Sequence, residues 1–409
     1  MKKKVCFVSE NALGGIVNIN RGLIGLLGTE DFEFSVVLIN YPWREMTAAE
    51  TVFDGTGASV YTLEISHDVN KFRVLDRLQR QVLSRQDLII ATDRYELIAC
   101  CIGRLTVPVI FMIHSNFDSF YTVGKYFRGI IDSYVCISEE ILSRLKAALG
   151  EPAAGAEGQP VAETRPPAAV YLPHAIPGYD LPFTNTAATP LTIAFVGRFG
   201  RVKGSDIILE IGRHLKEKGG SPNFIIITNG VGEEAFRGEW AFNDTTTYYS
   251  NLPNKEVQQQ LAGAQVILMP SRLEGFPVVL IEAMRRGVVP VCSDISTGFP
   301  ELVEDGVTGY RLPIAEPEQF AGTLMHLAGD RARLAAMSRA ALEAVGKKFD
   351  PATNAARYGA HFLELMGRRT QKQYPDISSQ LGKFDKPYVP GPLIKFIKRF
   401  YKSTNQAFL

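Results

Sequence analysis

The sequence predicts an α/β protein built from two doubly wound domains, each a parallel sheet with helices on both faces. Three observations predict it. Short apolar runs without period-2 alternation recur from the first residues to about residue 345, and such runs belong to strands buried on both faces. Amphipathic helical patterns alternate with them, as a parallel sheet requires. At 409 residues the chain exceeds one ordinary domain and fits two of about 150–200 residues.

In the first half, strands are expected near 4–8, 34–40, 59–64, 87–91, 107–113 and 132–137, with helices near 15–28, 70–84, 93–104 and 138–149. Residues 150–169 are rich in Pro, Ala, Gly and Glu and read as a flexible insertion, because the strand-like Val170-Tyr171-Leu172 follows. Thr, Asn and Pro cluster from Pro182 to Pro190, which places the hinge there and the first domain at 1–182. The second domain, 183–349, repeats the scheme. Its strands are expected near 191–197, 223–228, 265–269 and 289–292, and its helices near 203–218, 254–263, 277–286 and 316–345. A helix at 350–366 crosses back to the first domain.

Composition is ordinary, 46% apolar and 21% charged, and the net charge of +1 argues against a nucleic-acid partner. Cys6, Cys100, Cys101, Cys136 and Cys292 sit mostly inside apolar runs without Cys-x-x-Cys spacing, and read as buried thiols of a reducing compartment. After MKKK the apolar run Val5–Val8 is too short for a signal peptide. No stretch approaches the ~20 apolar residues of a membrane span. A cytoplasmic location follows as the expectation.

The tail at 367–409 differs from the rest. It carries nine Lys or Arg against two Asp, a local balance of +7. Leu393, Ile394, Ile397, Phe400 and Tyr401 share one helical face, while Lys395, Lys398, Arg399 and Lys402 take the other. Such a basic amphipathic helix over 390–402 suits an anionic membrane surface, here the inner face of the plasma membrane. Docking of its apolar face on the first domain is the alternative.

Function is most legible between Ser271 and Pro313. Glu274 and Glu282 lie eight apart, separated by the turn Gly275-Phe276-Pro277 and the apolar run Val278–Ile281. A helix starting between them would offer free N–H groups and a positive dipole end to a diphosphate, and the carboxylates suit sugar and ribose hydroxyls. Together these residues describe a nucleotide-sugar site. A second element, Gly197-Arg198-Phe199-Gly200-Arg201-Val202-Lys203-Gly204, directly follows a strand, where parallel sheets bind ligands. Arg198 and Lys203 supply a fork and a point charge for phosphate. The loop is neither a Walker A nor a Gly-x-Gly-x-x-Gly motif. Gly14-Gly15 before the first helix permits close backbone approach to an anion, and His114 ends a strand where functional side chains collect. No Asp-x-Asp motif or clustered His/Cys spacing indicates a metal.

The stretch Pro-Ser-x-x-Glu-Gly-Phe-Pro through Glu282-Ala-Met, with Glu301-Leu-Val-Glu-Asp-Gly-Val-Thr-Gly-Tyr downstream, resembles the donor signature of glycosyltransferase family 4. That family consists of retaining enzymes of GT-B architecture, two Rossmann-like domains facing a central cleft, and the resemblance covers roughly residues 1–366. It implies that Glu274 contacts hydroxyls of the transferred sugar and Glu282 the ribose. Backbone amides of Gly275, Phe276 and Val278 would face sugar and diphosphate, whereas Pro277 has no N–H. Gly197, Arg198 and Lys203 match the family's phosphate element, Gly14 and Gly15 its phosphate-closing loop, and His114 a histidine near the reacting sugar. The chain departs from the pattern at Ser115, at His174-Ala175 and at Thr228-Asn229-Gly230, so no role passes to His174 and the base stays open.

The implied activity is transfer of a glycosyl group from a UDP-, GDP- or ADP-sugar to an acceptor hydroxyl. The anomeric configuration is retained and no metal cofactor is needed. A glycan or lipid-linked acceptor in cell-surface polysaccharide, lipopolysaccharide or glycolipid synthesis is expected, bound by the first domain through segments near 41–56 and 115–128. The catalytic set is then His114, Arg198, Lys203 and Glu274. Two other readings stand beside it: a nucleotide-sugar 2-epimerase of the same architecture, and a non-catalytic nucleotide-sugar-binding protein.

Overall fold

The computed structural model describes residues 1–11, 15–41, 50–66, 68–150, 167–178, 181–368, 371–382 and 385–390. The chain divides into two compact units, Met1–Ala175 with Ala352–Leu409, and Ile176–Pro351. The division falls at Ala175/Ile176 rather than at Pro182–Pro190. Two arginines account for this: Arg285 Nη1 donates to Ile176 O at 2.5 Å and Arg286 Nη1 to Leu181 O at 2.7 Å, binding the connecting stretch to the second unit.

The strands of the first unit are β1 (Lys3–Glu10), β2 (Phe32–Asn40), β3 (Ser59–Glu64), β4 (Leu88–Ala91), β5 (Val109–Ile113), β6 (Ser133–Cys136) and β7 (Ala168–Tyr171). They form one parallel sheet in the order β3-β2-β1-β4-β5-β6-β7. β7 takes in Ala168 and Ala169, which the sequence assigned to the insertion; residues 151–166 of that insertion lie outside the described residues. Helices α1 (Gly15–Leu27), α2 (Lys71–Gln81), α3 (Arg94–Gly103), α4 (Asp118–Tyr126) and α5 (Glu139–Leu149) connect the strands. The central strands carry Val, Ile, Phe and Leu almost without exposure, as burial on both faces demands.

The second unit holds β8 (Thr192–Val196), α6 (Ser205–Glu217), β9 (Asn223–Thr228), α7 (Glu233–Glu239), β10 (Thr246–Ser250), α8 (Asn254–Ala262) and β11 (Val266–Met269). It continues through α9 (Val278–Met284), β12 (Val289–Ser293), α10 (Phe299–Leu302), β13 (Tyr310–Leu312), α11 (Pro317–Gly329) and α12 (Arg331–Lys348). Its parallel sheet runs β10-β9-β8-β11-β12-β13. The pattern at 316–345, read as one helix, is two, because Asp330 caps the second by accepting from Arg333 N at 2.9 Å.

Helix α13 (Pro351–Met366) packs into the core of the first unit. Ala355, Tyr358, Phe362 and Leu365 form its buried stripe, with Phe362 edge-on to Phe7 at 6.3 Å and the Tyr358 hydroxyl donating to Leu172 O at 3.0 Å. The following segment runs along the same unit. Lys372 Nζ is buried and reaches Asp132 Oδ2 at 2.6 Å and Ile130 O at 2.7 Å. Further on, Asn70 Nδ2 donates to Lys386 O and Val389 O, both at 2.9 Å. The amphipathic stretch from Leu393 to Lys402 lies outside the described residues.

Candidate functional site

The order of the second sheet determines where a ligand site belongs. β8 and β11 are neighbours, yet the chain leaves β8 toward β9 and leaves β11 toward β12. The connections after the two strands therefore diverge, and the crevice at their carboxyl ends is the topological switch point at which open α/β sheets bind ligands. Gly197–Gly204 leaves β8, and Pro270–Pro277 leaves β11. Both elements singled out by sequence meet here.

The first loop is a tight coil. Lys203 N donates to Gly200 O at 3.1 Å, and Gly200 N to Ser205 Oγ at 3.0 Å. Gly204 sits at φ +74°, and a Cβ there would lie 2.1 Å from Pro270 O. Only glycine allows both that backbone and that approach, so the loops touch through bare main chain. Arg198 is exposed and Gly197 half-buried in this loop.

Lys203 Nζ reaches both oxygens of Glu274, at 2.8 and 2.6 Å, and Ser271 Oγ donates to Glu274 Oε1 at 2.6 Å. The two residues that sequence assigned to phosphate and to sugar thus pair with each other. Glu274 is buried, while the Lys203 side chain keeps partial exposure.

Glu274 lies in the loop, and α9 begins only at Val278, later than the helix expected from 277. Pro277 has φ −79° and ψ 81°, an inverse γ-turn, and Val278 N donates across it to Phe276 O at 2.9 Å. The Val278 N–H is thus engaged by its own loop. The Phe276 ring is buried against Phe349, with centroids 5.9 Å apart; Gly275 is half-buried beside it.

Glu282 occupies the second turn of α9, buried at 5% exposure. Its Oε1 accepts from Asn254 Nδ2 at 2.8 Å and Gln258 Nε2 at 3.2 Å, one helical turn apart on α8. Burial pushes its carboxyl up to about 7, with the two amide donors opposing. Sequence reading missed Asn254 and Gln258, and gave Ser271 no role although it belongs to the Pro-Ser-x-x-Glu motif. The only signal was Asn and Gln at i and i+4 on one helix face, which is common on solvated helices.

The remaining sequence candidates belong to the first unit. Gly15 opens α1 and is exposed, while Gly14 lies outside the described residues. His114 follows β5 and is buried, with neither ring nitrogen partnered, and its ring stacks on His174 at 5.6 Å and 14°. Burial lowers its pKa to about 4, which keeps the imidazole neutral. His174, to which sequence gave no role, is buried three residues after the end of β7. Among the described residues no three His, Cys, Asp or Glu gather as a metal group. Nor is any helix among them long and apolar enough to cross a membrane.

Residues 181–344 match the family model for glycosyl transferases group 1, which spans both loops and both glutamates. The chain is 30% identical over 181 residues to the amylovoran biosynthesis glycosyltransferase AmsK of Erwinia amylovora, covering 42% of this chain and 44% of that protein. It is 36% identical over 135 residues to the putative colanic acid biosynthesis glycosyltransferase WcaL of Escherichia coli K12, covering 31% and 33%. The matched stretches thus span less than half the length of these relatives. The structure of Anabaena Alr3699/HepE in complex with UDP-glucose is similar with a TM-score of 0.69, at 16% identity, over 88% of this chain and 99% of that one. The fold is the two-domain, Rossmann-like GT-B fold.

Proposed function

We propose that this chain is a retaining glycosyltransferase that moves a sugar from a nucleoside diphosphate sugar to an acceptor hydroxyl during cell-surface polysaccharide assembly. One observation carries the reading: Lys203 and Glu274 meet at the switch point of the second sheet, with Glu282 held by two amides nearby. Arg198 and Lys203 bind the diphosphate and stabilise the charge that develops as it leaves, which is usually the largest catalytic contribution. Glu274 takes sugar hydroxyls and Glu282 ribose hydroxyls. A UDP-sugar is the first donor to test, because the similar Anabaena protein was solved with UDP-glucose. The names of the relatives support a polysaccharide acceptor.

The retention proposed here uses no carboxylate nucleophile. Both Glu274 oxygens are engaged by Lys203, and one also by Ser271, so neither is poised to attack an anomeric carbon. The acceptor oxygen forms its bond to that carbon on the leaving-group face. The bond to the diphosphate oxygen breaks, and the departing phosphate takes the acceptor proton. Proton NMR of the fresh product tests this: the donor's anomeric configuration is expected, and its inversion would refute the mechanism.

A further inference from the structure

Arg272 fastens the phosphate loop from outside the ligand site. Its backbone N donates to Val202 O at 2.9 Å and its Nη1 to Arg201 O at 2.8 Å. The same guanidinium grips Asp206 in the first turn of α6 with two bonds, Nη1 to Oδ1 and Nη2 to Oδ2, both 2.7 Å. Arg272 therefore bonds to the two residues preceding Lys203 and to the helix that follows it. It stands two residues before Glu274, so one residue ties both halves of the Lys203–Glu274 pair to a common frame. A planar fork is required, since an ammonium cannot span both Asp206 oxygens and a carbonyl in fixed directions.

The ion pair is too exposed to be a large source of stability, since the side chains keep 27% and 55% of their surface and solvent screens such a pair. Its bonds instead determine where the 201–203 turn sits. We propose that Arg272 is a positioning residue which, with Asp206, holds Lys203 in place to receive the diphosphate of the donor. This rests on the proposed function, goes beyond it in naming a residue that touches no ligand, and predicts that Arg272 acts through Lys203.

Calorimetric titration of UDP, GDP and ADP into the full chain tests the proposal, with wild type, Arg272→Ala, Lys203→Ala and the double variant compared. The best-bound diphosphate should lose about tenfold in affinity with Arg272→Ala, and no more than about twofold when the same change is made on the Lys203→Ala background, because effects that share one route do not add. Melting temperature should move by no more than about 4 °C, as expected for an exposed pair in a domain of this size. Arg272→Lys should restore affinity only in part. Asp206→Asn leaves Arg272 in place, should cost affinity in the same Lys203-dependent way, and serves should Arg272→Ala fold poorly. Wild-type affinity in both Arg272→Ala and Asp206→Asn would overturn this inference alone, as would a loss fully additive with Lys203→Ala. Failure of the wild type to bind any of the three diphosphates would overturn the proposed function, and this inference with it.

Discussion

Replacing Glu282 by glutamine should stabilise the second unit at neutral and alkaline pH while weakening nucleotide binding. The buried carboxyl is pushed up to about 7 from an ordinary 4.5, chiefly by desolvation. Between those values the folded protein binds the proton more tightly than the unfolded chain, so unfolding releases it and stability falls as pH rises. At about 1.4 kcal/mol per pH unit, the full effect above pH 7 is about 3 kcal/mol. Glutamine keeps the volume and can still accept from Asn254 and Gln258, but it cannot ionise. Urea unfolding between pH 4.5 and 8.5 measures the difference. Trp240, buried in the second unit's core, reports the transition in a Trp43→Phe background. The variant should match the wild type near pH 4.5 and exceed it increasingly up to about pH 8. A difference that stays flat across this range, or that favours the wild type as pH rises, would refute the reasoning. The same variant should bind UDP more weakly, which marks a charge kept for a ligand at the expense of stability.

Other perturbations have equally definite outcomes. His114 titrates near 4 when folded and near 6.5 when unfolded, so the unfolded chain binds the proton first and stability falls as pH drops through that window. His114→Gln should flatten the decline by up to about 3 kcal/mol at pH 4, read from pH-dependent urea midpoints. Lys372→Met removes the ammonium whose hydrogen bond Asp132 accepts at 2.6 Å and should cost about 1.5–3 kcal/mol of first-unit stability in chemical denaturation, the range for a hydrogen bond to a charged group. Gly204→Ala combines positive φ with a clash on Pro270 O. It should cost at least ~2 kcal/mol and abolish UDP binding, measured by thermal melting and calorimetry.

What the sequence disclosed follows from which forces are local. Strands buried on both faces announce themselves as apolar runs, so β1, β2, β4 to β6, β8, β9, β11 and β12 were readable, as was the more exposed β3, but β10 was not. That edge strand, Thr-Thr-Tyr-Tyr-Ser, is only partly buried and paired on one side, so nothing apolar marks it; the three-residue edge strand β13 escaped for the same reason. The site was legible where charge and glycine cluster along the chain, at Gly197–Gly204 and Glu274–Glu282. Its supports were not. Asn254 and Gln258 lie 28 and 24 residues from Glu282, and Arg272 lies 66 from Asp206, and only the parallel sheet brings them together. The direct pairing of Lys203 with Glu274, 71 residues apart, was equally invisible, since each had been assigned to a different part of the ligand. The turn bond from Val278 N to Phe276 O was likewise unreadable, because a proline-centred turn is set by ψ, which residue type alone does not reveal.

The central claim, that Lys203 and Arg198 receive the diphosphate of a sugar donor, is tested most directly by nucleoside diphosphate release. UDP-glucose, GDP-mannose and ADP-glucose would be supplied in turn, with water or added glycan as acceptor, to the wild type and to Lys203→Ala and Arg198→Ala. Release from one of these donors is predicted, falling by at least about 30-fold in each variant, a loss of at least ~2 kcal/mol in transition-state stabilisation. Release from none of them, or undiminished release in both variants, would contradict the account.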